Sequence, residues 1–367
     1  MVVQLDALST PNPYAAGYPG QHKIAVRSTD GRIFATWDSD NGAVLAYSDD
    51  HGDTWSIPEP LSGTGAAKEA SLWADQTGKI YIAYQDTDTL RYLDFREISP
   101  GGTMSEPYHA GTSAGMIHRR PSVCSTPDGT VVAITWEYTG IGLDSPNIRA
   151  RVRNGSTWDV TPRTITSASI PQRRPSVFLY DDTLALAWCG PASPPETRNA
   201  MFLKLYDHST MEFGDNTEIH YFASVGDVVK LNETYLLWAY IEDGDLLVAH
   251  MTPTGWNGGK EYFGNSPSLV SIVADGPEHV YYVYVDLGNL YARGWTRSVD
   301  GSSPIDTVVK SLDTTTTSIP SLSTAPYHPF ALYYVGDNDT IRFVDFGKPT
   351  LSLGLGSGSI ILTFGDE

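Results

Sequence analysis

Seven stretches decide the architecture: GRIFATW (31–37), GKIYIAY (78–84), GTVVAITW (129–136), DTLALAW (182–188), ETYLLW (233–238), HVYYVY (279–284) and PFALYY (329–334). Each is a turn or polar residue, then an apolar run, then an aromatic. The closing aromatics are Trp37, Tyr84, Trp136, Trp188, Trp238, Tyr284 and Tyr334, spaced by 47, 52, 52, 50, 46 and 50 residues. A near-constant period of this size marks a repeat architecture, in which each unit buries its apolar surface only by packing on its neighbours.

Two further patterns keep the same phase. About ten residues before the run stands a small residue or proline, a serine and an aliphatic residue: Ala70-Ser71-Leu72, Pro121-Ser122-Val123, Pro175-Ser176-Val177, Pro267-Ser268-Leu269 and Pro320-Ser321-Leu322. Lys23-Ile24-Ala25 and Asp227-Val228-Val229 are degenerate versions. After the run come AVLAYS (43–48), LRYLDF (90–95), IRARVR (148–153), AMFLKLY (200–206), LLVAHM (246–251), LYARGW (290–295) and IRFVDF (341–346). All are short, rich in β-branched and aromatic residues, and bounded by Gly, Asp, Asn or Pro, which is strand and hairpin chemistry. The GRIFATW run is apolar on both faces, as expected of a sheet packed between two others. The pattern predicts an all-β, seven-bladed β-propeller of four-stranded antiparallel blades, with six blades as the alternative. Residues 1–20 form an N-terminal arm whose Val2 to Leu8 stretch suits a closing strand, 21–350 the propeller, and 351–367 a C-terminal tail.

Composition narrows the function classes. The net charge is −19 over 367 residues, with 43 acidic against 24 basic side chains. Such a chain is repelled by nucleic-acid phosphates and anionic lipid, so neither is an expected partner. No apolar run is long enough to cross a bilayer as a helix. The first ten residues have no basic or apolar region, so no signal peptide is expected. The two cysteines, Cys124 and Cys189, give no disulfide framework and read as buried thiols.

Residues 48–55 read Ser-Asp-Asp-His-Gly-Asp-Thr-Trp, which resembles the Asp box of the sialidase-like propellers. Asn154-Gly155-Ser156-Thr157-Trp158 is a worn second copy, and the resemblance in blade pattern covers about 21–350. In that superfamily the box is structural and lies away from the active face, so Ser48, Asp50, Gly52 and Trp55 receive no catalytic role.

Propeller topology places the starts of the inner strands and the loops after the second strands around one funnel. The residues before each serine motif are Lys68-Glu69, Arg119-Arg120 and Arg173-Arg174, so four of 16 arginines share two equivalent slots. Acids follow the second strands: Asp38 and Asp40, Asp86 and Asp88, Glu137, Glu242 and Asp243, Asp286, and Asp337 and Asp339. Arginine forks fit carboxylate, sulfate or phosphate, and carboxylates beside them can transfer protons. The expected ligand-binding set is Arg119, Arg120, Arg173, Arg174, Glu69 and Asp86; the expected catalytic set is Glu137, Tyr138 and His118. No cofactor is expected. DSDNG, DTDT and DNDT hint at calcium without EF-hand spacing.

The chain departs from the sialidase pattern. Where that family carries its first arginine, this sequence reads Gln21-His22-Lys23-Ile24. Seven-bladed relatives include lyases of acidic polysaccharides that use His, Tyr and Arg, for which His118, Arg119, Arg120 and Tyr138 are the analogues. The resemblance implies a propeller that binds an anionic poly- or oligosaccharide; it leaves open whether the glycan is cleaved, and an enzyme of this kind would be a glycoside hydrolase or polysaccharide lyase. The alternative is a non-catalytic structural or receptor-binding propeller of a phage tail or other assembly, joined to a partner through its tail. Either places the protein outside the cell or on a virion.

Overall fold

Side chains are described in a computed structural model at residues 5, 21–39, 42–63, 67–87, 92–111, 116–140, 146–167, 171–191 and 199–215, and at scattered positions beyond; elsewhere it describes the backbone of the strands given below. The described residues contain no helix. They form seven antiparallel sheets and one separate hairpin. Sheet one comprises Ile24–Val26, Ile33–Ser39, Gly42–Ser48 and Glu59–Pro60. Sheet two comprises Ala67–Ala74, Ile80–Asp86, Leu93–Ile98 and Tyr108–Gly111. Sheet three has Met116–Ser125, Val131–Gly140 and Asn147–Asn154, with Thr157–Trp158 and Arg163–Thr164 both paired to the third strand. Sheet four has Arg173–Tyr180, Thr183–Pro191 and Asn199–Asp207, edged by Glu212–Phe213 and Thr217–Tyr221.

Sheet five runs Gly226–Lys230, Leu236–Glu242, Asp245–Thr252 and Gly255–Asn265, and sheet six Pro267–Asp275, His279–Asp286, Asn289–Thr296 and Ile305–Asp313. Sheet seven takes Ser321–Ala325, His328–Val335 and Thr340–Asp345 from the end of the chain and Val2–Gln4 from its start. Val3 lies opposite Phe343, so the N-terminal strand, not the tail, fills the outer edge of that sheet. Pro349–Ser352 and Ile361–Phe364 form a hairpin that touches Ile305–Asp313. The arm and tail residues 6–20, 353–360 and 365–367 lie outside the described residues.

The first strands of successive sheets contact one another in order, and that of sheet seven contacts that of sheet one, so the order is cyclic. Burial follows. Every residue of Ile33–Ser39 is buried, and among the described residues Trp37, Trp136, Trp188 and Trp238 are the largest fully buried side chains. Apolar clusters lie between neighbouring sheets: Tyr81, Ala83 and Phe95 of sheet two meet Val132, Ile134 and Trp136 of sheet three. Burying one such aromatic contributes about 2–3 kcal/mol.

The Asp-box turn is closed by its own side chains. Ser48 Oγ donates to Asp50 Oδ1 (2.8 Å) and accepts from Gly52 N (2.8 Å). Asp50 accepts from the Thr54 amide (2.8 Å), and Trp55 Nε1 donates to Gly52 O (3.0 Å). The Thr54 hydroxyl, then the Thr54 amide and the Ser48 hydroxyl, hold the Asp50 carboxyl down at about 2. Gly52 takes φ 97°, open mainly to glycine. Asp128 organises the first turn of sheet three in the same way. Cys124 is fully buried, whereas Cys189 is only half-buried; burial raises both thiols, Cys189 to about 11.

Candidate functional site

The serine motifs mark a shared backbone device. Register shifts fall between Lys68 and Ser71, Arg119 and Ser122, and Arg173 and Ser176. The residue inside each shift is left-handed: Glu69 at φ 53°, Arg120 at 51° and Arg174 at 56°. A side-chain-bearing residue there costs on the order of 1–3 kcal/mol, and such strain clusters at ligand sites. Proline at 121 and 175 suits a bulge because it has no N–H for the ladder. The serines stitch neighbouring first strands: Ser71 Oγ accepts from His22 N (3.3 Å) and Ser122 Oγ from Val177 N (3.1 Å).

Carboxylates satisfy the amides that the bulges free. Asp38 of sheet one accepts from Glu69 N (2.9 and 3.2 Å to its two oxygens). Glu69 Oε2 of sheet two accepts from Arg120 N (2.6 Å). Glu137 Oε1 of sheet three accepts both Arg174 N (2.7 Å) and Arg120 Nη1 (2.7 Å). A buried amide without a partner costs about 1–3 kcal/mol, so the acids fix the bulges and link four sheets. By register Gln21 occupies the slot of Glu69, and its Nε2 donates to Glu69 O (2.8 Å) and Pro121 O (3.1 Å). Lys23 takes the serine slot and is fully buried. Burial lowers its ammonium pKa, and the Asp38 and Glu69 carboxylates oppose that. Burial raises the Asp38 and Glu69 carboxyls; Lys23 opposes this at Asp38, and the Arg120 amide at Glu69.

Four predicted residues therefore meet in one network: Glu69, Arg120, Glu137 and Arg174. Arg120 lies between two acids, its amide on Glu69 and its guanidinium on Glu137, with its side chain 19% exposed and that of Glu137 5%. Arg119 is exposed, and Arg173 and Arg174 are half-buried. Asp86 is half-buried at the end of its strand; burial raises the Asp94 carboxyl, and the Asp86 charge adds to that.

The structure does not bring His118 and Tyr138 to Glu137. Consecutive strand residues face opposite sides of a sheet. Tyr138 packs with Trp136 in the cluster shared with sheet two, while Glu137 reaches sheet four. The Arg149 guanidinium lies 3.7 Å above the Tyr138 ring. His118 is 1% exposed, its ring 5.6 Å from that of Tyr138 and 5.9 Å from that of Trp136. Among the described residues neither of its nitrogens has a hydrogen bond, and burial, aided by Arg149, lowers its pKa to about 4. It is a neutral ring wedged between sheets two and three, where a Cβ on Gly111 would come within 3.0 Å of Nδ1.

Sequence reasoning passed over Lys23 and the pair Asp94–His109. The nearly buried Asp94 carboxylate lies 2.6 Å from Nδ1 of the half-exposed His109 ring, which packs 4.3 Å from the Tyr92 ring. No motif marks either feature. Asp40, Asp88, Asp243, Asp337 and Asp339 lie outside the described residues, as do the side chains of Glu242 and Asp286. Among the described residues no group of three or more His, Cys, Asp or Glu is placed to hold a metal.

No family model matches the chain, and no curated protein matches it. Solved structures do. A Hadza microbial sialidase superposes with TM-score 0.54 at 12% identity, covering 84% of this chain and 74% of its own. An ulvan lyase bound to a GlcA(1-4)Rha3S saccharide gives 0.54 at 11% identity, covering 90% and 94%. BBS1N, solved in complex with ARL6DN, gives 0.56 at 12% identity, covering 94% and 96%. At these identities the similarity is one of fold, an all-β propeller of antiparallel sheets. None of these three is a phage-tail protein, and the virion expectation gains no support from them.

Proposed function

We propose that the chain is a seven-bladed propeller that binds an anionic oligo- or polysaccharide at the inner ends of sheets two to four. The observation that carries this reading is the repeated left-handed bulge, which sets Arg120 and Arg174 at equivalent points of adjacent first strands with Arg119 and Arg173 beside them. Folding alone does not call for arginine there, since Gln21 and Glu69 fill the same slot in sheets one and two. In a chain of net charge −19, the local arginines supply the attraction for an anion. Arg119 is exposed and Arg173 and Arg174 are half-buried, and Arg120 is paired with Glu137. The cyclic contacts of the seven first strands support the blade count. The sialidase and the saccharide-bound ulvan lyase with similar folds support the substrate class.

The test is a binding panel of sialosides, uronic-acid oligomers and sulfated oligosaccharides, with neutral glycans as controls. Binding of one anionic class, lost in the Arg119→Ala/Arg174→Ala variant, supports the reading. Equal binding of neutral glycans refutes recognition through the arginines, and no binding of any member refutes glycan binding and favours a protein-binding propeller.

A further inference from the structure

Three carboxylates accept hydrogen bonds in the inner network, and they are not equivalent. Asp38 and Glu137 stand at the ends of second strands and are 4% exposed. Both Asp38 oxygens accept one amide, and Glu137 Oε1 accepts two donors. Neither is open to a ligand. Glu69 stands on a first strand, on the left-handed residue itself, and is partly exposed. Its Oε2 takes the Arg120 amide, while among the described residues Oε1 accepts no hydrogen bond. The slot it fills carries arginine in the next two sheets, so its carboxylate sits at the point of the bulge from which those side chains start.

We propose that Glu69 is the group that gives and takes the proton when the bound glycan is cleaved, and that Glu137 is a positioning residue for Arg120 and Arg174. This rests on the glycan reading above and assigns its chemistry. The proton passes from the Glu69 carboxyl to the departing glycosidic oxygen as the sugar C–O bond breaks. A water then adds to the sugar carbon and returns a proton to the Glu69 carboxylate, so the residue ends as it began. Its surroundings suit the role. Burial and the neighbouring Asp38 charge favour the protonated form, while Arg120 and Lys23 oppose them. The net direction is upward, set first by burial, which is the direction a general acid needs.

The experiment compares wild type with Glu69→Gln and Glu137→Gln, using sialyllactose, an oligogalacturonate and a heparin oligosaccharide as probes. Binding is read by calorimetry and cleavage by release of reducing ends. Glutamine at 69 still offers an oxygen to the Arg120 amide but cannot cycle a proton. The expected result for Glu69→Gln is binding within about 3-fold of wild type and cleavage slowed by about 10²- to 10⁴-fold, with the acidic limb of the pH profile gone. Glu137→Gln is expected to weaken binding first. Wild type that binds a probe without cleaving it, or Glu69→Gln that still cleaves it, overturns the proposal and leaves the glycan reading standing. Absence of all probe binding by wild type overturns both. Should Glu69→Gln not fold, carbon NMR of the side-chain carboxyls in wild type decides: Glu69 titrating at or below an ordinary glutamate overturns the proposal.

Discussion

Replacing His118 by glutamine makes stability less dependent on pH. In sheet four the equivalent position is Gln172, whose Oε1 accepts the indole N–H of Trp188 at 2.9 Å. In sheet three His118 faces Trp136, and among the described residues Trp136 Nε1 has no acceptor. His118 is held neutral, its pKa lowered from 6.5 to about 4 by burial and by Arg149. The sign follows: above pH 6.5 the ring is neutral in both folded and unfolded chains. Between 6.5 and about 4 only the unfolded chain takes up the proton, so stability is lost over that window. The lowering corresponds to roughly 3 kcal/mol. Spread over the unfolding entropy of 367 residues, this is a fall in Tm of about 4 °C. Scanning calorimetry of wild type and His118→Gln at pH 7.5 and 4.0 measures it. Other carboxylates titrate in both proteins, so the informative quantity is the difference between their two falls. The variant should fall about 4 °C less and be at least as stable at pH 7.5, with the introduced amide carbonyl accepting the indole N–H. Identical falls in the two proteins would refute the assignment of His118 as a buried neutral ring.

Asp50→Asn should remove part of the stability that wild type loses between about pH 4 and 2, because the folded Asp50 carboxyl is depressed to about 2; acid titration of Tm checks this. Arg174→Gly should raise stability by about 1 kcal/mol in urea denaturation, since glycine accepts φ 56° freely, while abolishing anionic glycan binding. Gly129→Ala should destabilise by about 2 kcal/mol or more, because its Cβ would overlap Asp75 Oδ2 and Tyr81 OH at a residue of φ 69°; the same denaturation assay reads it. Ser122→Ala should cost about 1 kcal/mol through loss of the acceptor for Val177 N.

The strands were legible because an apolar run ending in an aromatic, repeated at a near-constant spacing, has no helical reading. The Pro-Ser pairs were legible as a phase marker, but not as bulges: a left-handed arginine has no sequence signature, and only the freed amide and its carboxylate reveal it. Strand alternation applied to Glu137 and Tyr138 separates the two from the sequence alone, since adjacent residues cannot share a face. Lys23 was opaque because lysine is almost never fully buried without a charge partner, and its neighbours, Asp38 and Glu69, lie 15 and 46 positions away. The two arginine pairs stand at equivalent register positions, yet their members differ. Arg120 is tied to Glu137, whereas Arg119 is exposed, a split set by which residue falls inside the bulge.

The most direct test of the central claim is the crystal structure of the chain soaked with the anionic oligosaccharide that binds best in solution. The account predicts a carboxylate or sulfate group of the sugar within hydrogen-bond distance of Arg174 and of Arg119 or Arg173, beside Glu69. A sugar seated on the outer strands, or its charged group turned away from these arginines, would contradict it.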